Sequence, residues 1–290
     1  MDFLKYEAPS GITEAIALLS ENPGKAKVFA GGTDVLVQMH MDRMEAGVLV
    51  DLKRIVELKQ IHVSDDGIRF GAAMSCASLM KHGELGARWA GVVDGIKLIG
   101  SHQVKGRASV GGNLCNASPA ADSIPGMIAV GAKASIIGPG GRRELPVEDV
   151  VVSPGKTVLR EGEFIESFFL PRPAPSTASA YQRFTPRTEM DIAVVGVGIS
   201  LSLDDDGFCS DAKVALGAVA ERPIVAAQAG DALIGSRLDT AAMDDMRHAV
   251  MAACRPIDDK RGTREFRIKV AGVLARRVAD IALQRARTIR

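Results

Sequence analysis

The chain has 290 residues, 47% of them apolar and 4% aromatic, with a formal net charge of +1. That length can bury a real core and more than one domain, and the core must be built mainly from Ala, Val, Leu and Ile. Near-neutral charge gives no electrostatic reason for nucleic acid or an anionic membrane as partner, no apolar run reaches the length that spans a bilayer, and "MDFLKYEAPS" lacks the basic, apolar and small-residue succession of a secretory signal.

"SGITEAIALLSE" opens on a cap candidate and places Ile12, Ala15, Ile16 and Leu19 on one helical face. "AKVFA" reads as a strand stopped by Gly31 and Gly32, "DVLVQMHM" as helix or strand, and "GVLVDL" as a second strand. "QIHVSDDGIRFGA" predicts a hairpin about Asp66-Gly67. A helical stretch is predicted over 75–100, with breaks near Gly83 and Gly86. "SIPGMIAVGAKASIIG" reads as a short helix leading into a strand from Ala134 to Ile137, "GPGGRREL" as a turn, and "EFIESFFLP" as another strand. Residues 171–180, "PRPAPSTASA", combine prolines with small residues and are the predicted domain boundary. Beyond them come two or three antiparallel strands with a turn at Asp206-Gly207, then helical patterns near 223–235, 240–254 and 264–285. In the last, Phe266, Val270, Val273, Leu274, Val278 and Ile281 are predicted to share an apolar face.

The four cysteines, Cys76, Cys115, Cys209 and Cys254, form no C-x-x-C pair, and the five histidines show no ligand spacing. Neither a disulfide scaffold nor a zinc or iron–sulfur site held by this chain alone is expected. Cys115 is expected to be a buried, inert thiol and His102 a polar surface residue. No Ser-His-Asp arrangement or paired-acid site stands out, which suits a protein whose cofactor carries the chemistry.

Two stretches hold more small and amide-bearing residues than a turn requires. In "FAGGTD" (29–34) and "SVGGN" (109–113), glycines leave backbone N–H groups free of side-chain obstruction, so each could cradle a pyrophosphate. Each could equally be a tight turn that permits close packing. Neither is G-x-G-x-x-G or a P-loop, which disfavours both of those nucleotide sites.

The ordered set "AGGTDVLVQM", "VDLKRI", "GAAMSCASL", "SHQVKGRASVGGNLCNASPAADSIP" and "PIDDKRGTREFR" resembles the FAD-binding subunit of the molybdenum hydroxylases over essentially the whole chain. That family includes the medium subunit of aerobic carbon monoxide dehydrogenase and the flavin part of xanthine dehydrogenase. The resemblance implies an α+β protein. A two-subdomain FAD-binding fold of the PCMH/vanillyl-alcohol-oxidase-like type would cover 1–176, as subdomains of about 1–56 and 57–176. A C-terminal α+β domain, with a small antiparallel sheet and helices, would cover 177–290.

It also implies a cofactor-binding set: Val28, Phe29, Ala30, Gly31, Gly32, Thr33, Asp34 and Val35 in the first loop, and Ser109, Val110, Gly111, Gly112 and Asn113 in the second. Ile99 and Ile165 match apolar positions close to the flavin. Asp122, nine residues beyond Asn113, matches a cofactor-contacting acid, and Arg183 a basic contact. As residues alone, Asp122 could instead cap the following helix, Arg183 could be a solvated surface group, and both isoleucines could be core. FAD would be bound non-covalently. Iron–sulfur clusters of the [2Fe–2S] type would lie on a small partner subunit and a molybdenum pterin on a large one, in a dimer of heterotrimers. Electrons would leave to NAD, oxygen or a quinone. Lys97, Lys105 and Arg107 are a candidate edge of the partner surface or a solvated face. A cytoplasmic place is implied, with the complex able to associate with the inner face of the membrane. Two other classes remain: a stand-alone flavin oxidoreductase and a non-catalytic nucleotide-binding assembly subunit.

Overall fold

The computed structural model describes residues 4–188 and 190–289. Its first elements are β1 (Lys5–Glu7), α1 (Ile12–Glu21), β2 (Ala26–Phe29), α2 (Val35–His40) and β3 (Val48–Asp51). The strands form a parallel sheet in the order β1-β3-β2. Parallel neighbours require crossovers, which α1 and α2 supply. All of β3 is buried, as a central strand should be, and Ala15 and Leu19 of α1 pack on it. The ambiguous run "DVLVQMHM" is the helix α2, and none of its residues is buried.

The next strands are β4 (Ile61–Val63) and β5 (Gly67–Gly71), paired as the predicted hairpin. The stretch over 75–100 is three helices: α3 (Cys76–Met80), α4 (Gly83–Arg88) and α5 (Ala90–Lys97). The first break falls at Lys81–His82, where His82 Nδ1 accepts the Leu85 N–H as a cap. Gly86 lies inside α4, and the second break is at Trp89. There follow α6 (His102–Lys105), α7 (Val110–Cys115), α8 (Ser123–Ala129), β6 (Lys133–Gly138), β7 (Gly141–Pro146), β8 (Val151–Ser153), β9 (Lys156–Thr157) and β10 (Phe164–Pro171). Five strands make an antiparallel sheet in the order β4-β5-β10-β6-β7. The turn read in "GPGGRREL" is confined to 139–140. Gly138 ends β6, and from Gly141 the stretch is the edge strand β7, whose charged residues suit an edge open to water.

The last part holds β11 (Thr177–Phe184), β12 (Val195–Leu203), β13 (Cys209–Gly217), β14 (Ile224–Val225), α9 (Ala227–Asp231), α10 (Thr240–Ala253) and α11 (Arg264–Ile289). The four strands are antiparallel and lie in sequence order. The loop-like stretch 171–180 gives way at Thr177 to β11. Its small residues serve close packing: a Cβ on Gly91 of α5 would sit 2.8 Å from the Ala180 nitrogen.

The predicted apolar face of α11 is corrected. Leu274 and Val278 are buried, but Phe266 and Val273 are 41% and 45% exposed. The buried stripe is carried instead by Ala271, Ala275, Ala279, Ala282 and Ala286, whose small side chains let a helix lie close on a sheet. Among the described residues no helix is long and apolar enough to cross a membrane.

Candidate functional site

A cleft of about 290 Å³ opens beside the first sheet. Ala30, Gly31, Gly32, Thr33, Asp34 and Val35 line one side; Ser109, Gly111, Gly112 and Asn113 line the other. Val28, Ile99, Leu159, Phe164 and Ile165 add apolar wall. The two glycine loops approach closely. A Cβ on Gly31 would lie 2.3 Å from the Arg107 carbonyl oxygen, so only glycine fits there. An amide bridge supports the approach: Gln38 Nε2 donates to Asn116 Oδ1 at 2.9 Å, and Asn116 Nδ2 to Asp34 Oδ1 at 3.4 Å.

The loops differ in what they leave free. Among the described residues, the N–H groups of Gly31, Gly32, Thr33 and Asp34 donate to no protein acceptor. Such a run of backbone donors beside a cleft is an anion cradle. The second loop is largely spent. Gly111 N donates to Ala72 O at 3.2 Å, Gly112 N to Ser109 Oγ at 3.1 Å and Asn113 N to Ser109 O at 3.0 Å. Ser109 is thus the cap of α7. This loop offers the cleft a glycine surface rather than a row of donors. Gly112 makes that plain, since a Cβ there would meet only Ser109 Oγ, at 3.3 Å.

Four of the sequence-predicted site residues are not on the lining. Val110 is buried under the second loop. Phe29 lies behind the first loop, where a Cβ on Gly32 would touch its ring at 2.5 Å. Gly32 has φ +72°, a conformation glycine adopts freely. Asp122 and Arg183 bond to each other instead, as a buried ion pair at 2.5 Å. The Tyr181 hydroxyl donates to the same carboxylate at 3.0 Å. Burial pushes the Asp122 carboxyl up to about 6, against the opposing pull of Arg183 and Tyr181. Asp122 makes no side-chain cap to α8.

Behind the first loop, Asp51 at the end of β3 is buried at 4% exposure. Its carboxylate accepts from Lys53 Nζ through both oxygens at 2.8 Å, from Lys53 N at 2.9 Å and from the Tyr6 hydroxyl. Lys53 Nζ also donates to the Ala30 carbonyl at 2.7 Å and lies 4.2 Å from the Phe29 ring centroid.

Sequence reasoning missed Gln38, Met44, Ala72, Leu159, Phe164 and Asn116 in the lining. Asn116 carried a signal, as an amide within the glycine-rich stretch. Phe164 and Ile165 are adjacent in β10, so alternation along a strand would not select both. Cys115 is corrected in part: the residue is exposed and lines the cleft, while Cys76, Cys209 and Cys254 are buried, but desolvation pushes its thiol up to about 12, which keeps it protonated at neutral pH. Lys105 is corrected too. It is 8% exposed with Nζ on the Lys97 carbonyl, which leaves Lys97 and Arg107 as the exposed members of that basic group. Among the described residues no His, Cys, Asp and Glu cluster could hold a metal.

The cleft thus sets a run of free backbone donors beside an apolar wall, and comparisons with known proteins show which family the chain belongs to. A family described as "FAD binding domain in molybdopterin dehydrogenase" matches residues 2–173, and one described as "CO dehydrogenase flavoprotein C-terminal domain" matches 179–282. The xanthine dehydrogenase FAD-binding subunit of Escherichia coli is 30% identical over 98% of each chain. The carbon monoxide dehydrogenase medium chain of Afipia carboxidovorans is 30% identical over 97% of each. Among solved structures, reconstituted CO dehydrogenase from Oligotropha carboxidovorans superposes with a TM-score of 0.94 at 29% identity, covering 98% of each chain. Quinoline 2-oxidoreductase from Pseudomonas putida 86 gives 0.91 at 27%, also over 98% of each. The chain belongs to the family of FAD-binding domains in molybdopterin dehydrogenases. In class it is an FAD-binding oxidoreductase subunit.

Proposed function

We propose that this chain holds one non-covalent FAD in the cleft and is the electron-transfer subunit of a molybdenum hydroxylase complex. The observation that carries the reading is the run of four uncommitted N–H groups, Gly31 to Asp34, beside an apolar wall in one cleft. FAD held there would supply the redox chemistry that links a [2Fe–2S] cluster on a small partner subunit to NAD, oxygen or a quinone. The chain's own residues bind and orient. The first loop offsets pyrophosphate charge with backbone donors that need no reorganisation. Ile99 and Ile165 wall the flat rings, and the glycine surface at 111–112 admits the cofactor closely.

Substrate oxidation would take place at a molybdenum pterin on a large partner subunit, in a dimer of heterotrimers. The carbon monoxide dehydrogenase medium chains among the relatives support this division of labour. We also propose an FAD-binding unit over 1–176 and a C-terminal unit over 177–290, a division supported by apolar cores that lie on either side of Thr177 apart from Ala215, which packs into the first. Lys97 and Arg107 remain a candidate edge of the partner surface.

The test is the native complex. Native mass spectrometry with metal analysis should find this chain with an iron–sulfur and a molybdenum subunit, and acid precipitation should release its flavin. Rapid mixing after cluster reduction should then show electrons reaching that flavin. A solitary protein that oxidises its own organic substrate at full rate would defeat the reading.

A further inference from the structure

We propose that Lys53 is a positioning residue for the cofactor: with Asp51 it pins the Ala30 carbonyl from behind and so aims the Gly31 N–H into the cleft, at the pyrophosphate of FAD. The inference rests on the FAD reading above. Lys53 itself is not on the cleft lining, so it acts only through the loop.

The peptide between Ala30 and Gly31 is the first element of this device. A trans peptide is planar, so its C=O and N–H point in opposite directions. The Ala30 oxygen accepts from Lys53 Nζ at 2.7 Å. Fixing that oxygen toward Lys53 turns the Gly31 N–H the other way, and Gly31 lines the cleft. That N–H has no acceptor among the described residues. A loop of small residues would otherwise be free to rotate this peptide and lose the donor.

The ammonium group is itself held. Asp51 receives it through both oxygens at 2.8 Å and is fixed in turn by the Lys53 N–H and the Tyr6 hydroxyl. Burial alone would raise the Asp51 carboxyl, but the bonds from Lys53 and Tyr6 outweigh it and hold the group below its usual range. The carboxylate therefore stays charged and keeps its grip on Lys53 at neutral pH. The same ammonium lies 4.2 Å from the Phe29 ring centroid, and Gly32 packs on that ring. One cation thus steadies two consecutive parts of the cradle. An exposed ion pair would contribute little; this one has a buried acid and a third partner in the loop.

The experiment uses the full chain and its Lys53→Met, Lys53→Arg and Tyr6→Phe variants. Flavin fluorescence gives the FAD dissociation constant, and phosphorus NMR reads the pyrophosphate of bound FAD. Loss of a charge-assisted bond that fixes one donor should weaken Lys53→Met about tenfold. Its pyrophosphate resonances should move. Lys53→Arg should recover most of the affinity, and Tyr6→Phe should show a smaller loss of the same kind. Unchanged FAD affinity in Lys53→Met overturns the proposal. So does weaker binding with unmoved resonances and no rescue by arginine, which is what general damage to the sheet would give. If Lys53→Met does not fold, Tyr6→Phe decides: weaker binding with moved resonances supports the proposal, and wild-type behaviour overturns it. A wild-type chain that takes up no FAD is a separate result, and it removes the FAD reading and this inference together.

Discussion

Asp122 and Arg183 form a buried ion pair that joins the start of α8 to β11, with side chains only 10% and 6% exposed. Each is the other's main counter-charge, and Tyr181 completes the site. Removing one partner strands the other charge out of water. Arg183→Met should therefore destabilise the chain by about 3 kcal/mol. The double variant Asp122→Asn with Arg183→Met should lose less than the sum of the two single changes. Urea unfolding of the three variants checks this. Additive losses would mean that the pair is not coupled.

The same site sets a pH dependence. Burial lifts the folded Asp122 carboxyl to about 6, against 3.8 for the free group. The folded state then binds the proton more tightly than the unfolded state across that window. Its contribution to stability is present below about pH 4 and is lost as pH rises through about 6. The stability of the wild type relative to Asp122→Asn should accordingly fall between those values and level off above them. A relative stability that rises over the same range would contradict the assignment.

Local pattern carried much of this fold. The glycine punctuation after β2, the hairpin about Asp66-Gly67 and the long C-terminal helix were legible because each depends on neighbouring residues. The face that α11 buries was not. A sheet that accepts a helix closely selects Ala271, Ala275 and Ala279 over larger residues such as Phe266 and Val273, and the sheet is distant in sequence. In the site, the two loops were legible as glycine pairs, but how each spends its N–H groups was not. That depends on Ser109 and on Ala72, which lies in another part of the chain. The pairing of Asp122 with Arg183 was likewise invisible, since β11 brings the arginine across from another sheet.

Gly31 and Gly112 should fail differently. A Cβ on Gly31 meets the Arg107 carbonyl at 2.3 Å, a backbone clash that cannot relax without parting the loops. Gly31→Val should lose both flavin and stability. At Gly112 the nearest obstacle to a Cβ is the Ser109 hydroxyl at 3.3 Å. Gly112→Val should stay folded by circular dichroism, with an unfolding midpoint near wild type, yet bind FAD at least about tenfold more weakly, because the new side chain takes the cofactor's space. Full flavin content in folded Gly112→Val would rule out close approach of FAD at this glycine.

Cys115 offers a chemical readout of the cleft. It is exposed and on the lining, whereas Cys76, Cys209 and Cys254 are buried. Desolvation pushes its thiol up to about 12, so alkylation should be slow at neutral pH and faster as pH rises. Access rather than acidity should make iodoacetamide modify the flavin-free chain at Cys115 first, as mass spectrometry of its peptides would show. With free FAD at about ten times its dissociation constant, about nine-tenths of the chains carry cofactor, and modification should slow about tenfold. The three buried thiols should react only on unfolding, with or without FAD. Equal rates at Cys115 in flavin-free and flavin-bound protein would mean that the cofactor does not cover this part of the cleft, and would place FAD away from the face of α7.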